Sequence, residues 1–150
     1  MMDRLQNLRE SLPEIAGSSI NDTQENYLGL NASQLALGLD SLGEQISLDG
    51  QPGYQPITIK HKQKYGVGLG AITDRVTLFD TGAMYESETL QVSGETISLA
   101  FNTDYAEEVL SRTGPQVLGL NAENKTGYAF GAFFEAMRPK VESIIQLPLQ

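Results

Sequence analysis

The chain has 150 residues, with 10 basic and 19 acidic side chains and a formal charge of −9. Hydrophobic residues make up 40% and charged residues 19%, the balance of a chain that folds. The absence of cysteine excludes disulfide scaffolds, thiolate zinc sites, iron–sulfur clusters and cysteine nucleophiles, and the acidic total argues against general binding to phosphate backbones.

A chain of this length is expected to form one domain over 1–150, with a helical N-terminal part at 1–48 and an α+β core at 57–150. No run approaches the roughly 18 apolar residues of a membrane span, and no apolar leader is visible, so neither is expected. Leu5, Leu8 and Leu12 share a helical stripe that Pro13 is expected to close, followed by a loop or cap over 17–23. Asn31 is then expected to cap a helix whose Leu35, Leu39, Leu42 and Ile46 fall on one face. The stretch Asp49-Gly50-Gln51-Pro52-Gly53 is dense in turn residues.

Beyond it, Ile57-Thr58-Ile59-Lys60-His61-Lys62 alternates as a half-exposed strand would, and Gly66, Gly68 and Gly70 suggest a mobile loop. Arg75 to Phe79 reads as a second strand, and residues 88–93 and 96–102 as a hairpin around Gly94. A short helix follows over 105–112, capped by Thr103 or Asp104 and stopped by Gly114 and Pro115. Asn121 is expected to cap the last helix, whose stripe includes Phe130, Phe133, Phe134, Met137, Val141, Ile144 and Ile145, with a kink or a fresh helix start at Pro139. The pentapeptide Leu-Gly-Leu-Asn-Ala occurs at 28–32 and again at 118–122; shared capping chemistry explains it more simply than duplication. The expected fold class is α+β, an antiparallel sheet packed against N-terminal helices and a long C-terminal helix.

Candidate chemistry is sparse. Asp80-Thr81-Gly82 after an apolar stretch is the signature of aspartic proteases, but it occurs once, so catalysis by Asp80 would need a symmetric dimer. The structural alternative is a turn capped by Asp80 or Thr81, with Gly82 supplying a φ its neighbours cannot adopt. His61, the one histidine, sits among Lys60, Lys62 and Lys64, as on an edge strand protected by lysines. Gly66 to Gly70 lacks the ending of a phosphate loop. The pairs Glu86/Glu88 and Glu107/Glu108 read as solvent-facing charge. No metal or cofactor site and no enzymatic motif emerge.

Residues 75–114 carry a more specific pattern: a strand, then Thr81-Gly82-x-Met84-Tyr85-x-Ser87, a hairpin, Tyr105-Ala106, and Gly114 closing a short helix. This pattern resembles tailed-bacteriophage neck, tail-completion and minor tail proteins, in which a Thr-Gly-x-Leu-x-x-Ser segment precedes the sheet and a Tyr-Ala dipeptide opens a helix that ends at Gly. Here Met84 stands where leucine is usual. The resemblance implies a virion protein assembled in the host cytoplasm, a homo-oligomeric ring subunit contacting portal, neck or tail proteins. Thr81 would cap a turn over 83–87, Tyr85 would point into the sheet layer, and Tyr105 would lie between hairpin and final helix with its ring buried.

The cationic cluster Lys60, His61, Lys62, Lys64, Tyr65 and Arg75 is the expected subunit interface, a basic edge docking head-to-tail on an acidic face. An acidic ring around the genome would hold phosphate weakly, without sequence-specific binding. The alternatives are a dimeric retroviral-type aspartic protease using Asp80 and a small cytosolic adaptor.

Overall fold

The computed structural model describes residues 2–93 and 96–146. Two helices open the chain, α1 (Met2–Asp22) and α2 (Gln24–Ala36). A minimal ribbon follows, β1 (Ser47–Leu48) with β2 (Gln51–Pro52), then α3 (Pro56–Tyr65) and the single turn α4 (Ala83–Glu86). A longer antiparallel hairpin joins β3 (Glu88–Ser93) to β4 (Thr96–Phe101), and α5 (Ala106–Thr113), α6 (Ala122–Tyr128) and α7 (Phe134–Gln146) complete the order. The architecture is α+β, with helices from both ends of the chain around two small antiparallel sheets.

The hairpin forms as its alternation demands. In the register Glu88↔Phe101, Leu90↔Leu99 and Val92↔Ile97, one face turns inward, buried at Glu88, Leu90 and Phe101 and opening to an exposed Ile97 towards the turn, while Thr89, Gln91, Ser98 and Ala100 face solvent. The expected turn residue Gly94 lies outside the described residues. Two apolar clusters hold the layers together. One joins Leu35, Ile46, Val76, Met84, Phe101, Ala106 and Val117; the other joins Tyr27, Leu90, Leu120 and Tyr128.

Several expected elements are replaced. Lys60, His61 and Lys62 lie on α3, not on a strand. Pro56 at the first turn presets the helical φ, and the Lys- and Gln-rich remainder of the segment favours a helix over the β-branched start. The helix expected from Asn31 to Ile46 instead ends at Ala36. Gly38 takes φ +76°, its N–H bonding the Leu35 carbonyl and the Leu39 N–H bonding that of Gln34, which is a glycine C-terminal stop. Asn31 therefore lies inside α2, Leu39 forms an isolated bridge with Gln45, and Leu42 is exposed.

At the two ends of the chain, prolines are absorbed into helices. Pro13 lies inside α1 on a solvated face, where water can answer the freed carbonyl. On α1 it is Ile15 and Ser19 that are buried, whereas Leu5 and Leu12 are exposed. Pro139 lies inside α7, and the path breaks instead at Gly131 (φ −100°, ψ −109°), within a wide π turn over Ala129–Phe133.

The segment 75–79 is extended but pairs with no strand among the described residues. Side chains satisfy its backbone. Thr77 N–H donates to Tyr54 Oη at 3.0 Å, Tyr85 Oη donates to the Thr77 carbonyl, and Lys62 Nζ donates to the Phe79 carbonyl at 2.6 Å. The expected mobile loop after Tyr65 is a tight 3₁₀ turn (Gly68–Ala71). A Cβ on Gly66 would lie 2.4 Å from the Gly70 carbonyl, and one on Gly70 would lie 2.7 Å from that of Asp80, so only glycine permits this approach.

Candidate functional site

The resemblance-bearing segment builds the wall of a groove. Gly82, at φ +97°, turns the chain into α4, and Thr81 Oγ1 accepts the Ala83 N–H at 3.4 Å. Met84 is buried beneath it, and Ser87 Oγ donates to the Met84 carbonyl at 2.8 Å while accepting the Asn102 N–H at 3.1 Å. Tyr85 packs against the first apolar cluster and edge-on to Phe79, at 5.2 Å between ring centres. Ala106 is buried at the start of α5, and Gly114 ends that helix at φ +85°.

Between this segment, α3 and α5 lies a largely apolar groove of about 720 Å³. Ile57, Leu78, Phe79, Met84 and Val109 line it, with His61, Lys62, Asp80, Glu108 and Arg112 at its polar margins. Tyr105 belongs to this groove and is 44% exposed. It does not sit buried between hairpin and final helix, because α5 packs towards β1 and the 3₁₀ turn at 115–117. Leu78 on the groove wall holds φ +55°, a strained value for a branched side chain.

The basic cluster divides. Lys60, His61, Lys64 and Tyr65 are exposed on α3, where the His61 and Tyr65 rings are 5.0 Å apart and Lys64 Nζ lies 4.8 Å over Tyr65. Lys62 is buried, not a solvated edge residue. Its ammonium meets the carbonyls of Gly70 (3.1 Å) and Phe79 (2.6 Å) and lies 4.7 Å over the Tyr54 ring. Helical periodicity causes the split, since alternate residues of a helix do not share a face. Arg75 is engaged elsewhere, at the C-terminus of α2, donating to the Ala36 carbonyl at 3.2 Å and pairing with Asp74. Asp80 and Thr81 are exposed, and no second Asp-Thr-Gly is present in the chain.

The sequence reading missed Glu88. Expected in solvent, it is 6% exposed and accepts a hydrogen bond from Asn31 Nδ2 at 2.5 Å. Burial pushes its carboxyl up to about 7, an effect the Asn31 bond partly offsets. The signal was available: Glu88 shares the period-2 face of Leu90 and Val92. Among the described residues, no cluster of His, Asp or Glu could hold a metal ion, and no helix is long and apolar enough to cross a membrane.

No family model matches the chain, and no solved structure matches it. The chain is 28% identical over 138 residues to ribosome-releasing factor 2, mitochondrial, of Rattus norvegicus, and equally to that of Mus musculus. Each match covers 89% of this chain, which spans only 16% of the relative's length.

Proposed function

We propose that the chain is a structural subunit of a tailed-bacteriophage virion, a ring component of the neck or tail. The observation that carries the assembly role is strand β4. Thr96-Ile97-Ser98-Leu99-Ala100-Phe101 has β3 on one side and no strand on the other among the described residues. It carries none of the charges, prolines or bulges that guard a solitary edge. Because Asn102 N–H bonds the Ser87 carbonyl, alternation aims the free N–H and C=O groups of Ile97, Leu99 and Phe101 outward. Such an edge suits a neighbouring subunit.

Exposed apolar side chains support the same reading: Leu5, Phe130, Phe134 and Ile145 on the α1 and α7 side, and Ile57, Tyr65 and Val67 on the α3 side. Head-to-tail charge docking then falls to Lys60 and Lys64, which are free to reach a partner. The phage assignment itself rests on the likeness of residues 75–114.

Labelled antibodies on particles of a phage encoding the chain test this reading. Label confined to the head–tail joint or the tail is expected, and its absence from intact particles would overturn the proposal. Ser98→Lys with Ala100→Lys should block ring formation in negative-stain images while leaving the melting temperature within a few degrees. The likeness to a ribosome-releasing factor favours a second reading, association with the ribosome. Co-sedimentation of the purified chain with ribosomes would support it.

A further inference from the structure

Glu88 opens β3 on its inward face, and Asn31 reaches it from α2, itself 0% exposed. Asn31 Nδ2 donates to Glu88 Oε1, but buried Asn31 Oδ1 has no hydrogen-bond partner among the described residues. Among the described residues, the titratable groups close enough to feel the charge of Glu88 are two phenols, Tyr27 from α2 and Tyr85 from α4. No Lys or Arg pairs with it among the described residues. An ionised carboxylate only accepts, so it answers one half of the amide and leaves the orphan oxygen buried and unpaired. A neutral carboxylic acid also donates. Its O–H can bond Asn31 Oδ1 while its carbonyl keeps the bond from Nδ2, closing a two-bond ring between strand and helix.

We propose that Glu88 and Asn31 form a proton-operated latch, fastening the β3–β4 hairpin to α2 while Glu88 carries its proton and slackening it when the proton leaves. Among the described residues no cation stabilises its charged form, and burial raises the carboxyl from an ordinary 4.5 to about 7. A raised acid stabilises the fold fully below about 4.5, and that contribution is lost as pH rises through about 7. Burial also raises both tyrosines, so neither changes charge in this window. The latch needs no partner and stands apart from the ring assignment. Its consequence is a hairpin held firmly in mild acid and freed, with its open β4 edge, above neutrality.

Two measurements on the purified full chain test it. Carbon-13 NMR of the glutamate carboxyls should show Glu88 titrating near 7. Amide exchange, corrected for intrinsic rates, should show Gln91 and Ala100 losing protection on the order of 50-fold between pH 5 and pH 8. In Glu88→Gln, an amide pair supplies both bonds at any pH, so that loss should vanish. A Glu88 carboxyl titrating in the ordinary range near 4.5 would overturn the latch, as would an equal loss of protection in Glu88→Gln. The NMR titration stands alone if that variant does not fold.

Discussion

The same five residues, Leu-Gly-Leu-Asn-Ala, occupy two places in this molecule and do opposite things. At 28–32 they lie within α2, with Gly29 in open helical space and Asn31 buried against Glu88. At 118–122 they form the entry to α6, where Gly119 turns the chain at φ +114° and Asn121 Oδ1 accepts the Asn124 N–H at 2.9 Å. The flanks decide. Pro115, after the left-handed Gly114, ends the preceding helix and leaves the second copy free to cap, whereas the first copy follows a turn of helix already under way. The copies are also joined. Gln34, three residues beyond Asn31, donates to the Gly119 carbonyl at 3.0 Å and accepts the Asn121 N–H at 2.7 Å and Asn124 Nδ2 at 3.2 Å. A capping residue read from local sequence is therefore a statement about its neighbours as much as about itself.

Cutting that join is expected to have the largest effect. Gln34→Leu leaves the buried Gly119 carbonyl and the half-buried Asn121 N–H without partners, and should cost about 3–5 kcal/mol in urea unfolding. A loss below about 1 kcal/mol would mean that the second copy holds its shape without α2. Gly119→Ala should cost about 1–3 kcal/mol, because its φ disfavours any Cβ. Asn121→Ala removes one cap bond and should cost about 1 kcal/mol, visible as a lower melting temperature. The smallest change has the opposite sign: Gly29→Ala, with nothing within 4 Å of the new methyl, should stabilise the protein by about 0.5–1 kcal/mol. Equal signs for the two glycine substitutions would erase the contrast between the copies.

What the sequence made legible follows the same division. The hairpin, α5 with its Gly114 stop and the Asn121 cap were all readable, because each rests on residues within a few positions of one another. The α3 helix was not, since Ile57-Thr58-Ile59 alternates like a strand and the decisive residue, Pro56, precedes the pattern. The extended stretch at 75–79 looked like a strand because its side chains suit one; its hydrogen bonds go to Tyr54 in the loop before α3, to Lys62 on α3 and to Tyr85 on α4. Of the candidate site, the turn at Thr81-Gly82 was legible and the groove was not. The groove depends on α3 and α5 meeting the 78–84 segment, which no local period encodes.

The inward turn of Lys62 gives the molecule an internal reference for chemical labelling. Lys60 and Lys64 present their amines to water, while that of Lys62 is bonded to two carbonyls and covered by the Tyr54 ring. An amine-acylating reagent would mark the outer two at once and reach the middle one only when α3 lifts from the 66–80 segment. Peptide mass spectrometry across 60–64 thus becomes a clock for that opening, read from three lysines spaced two residues apart.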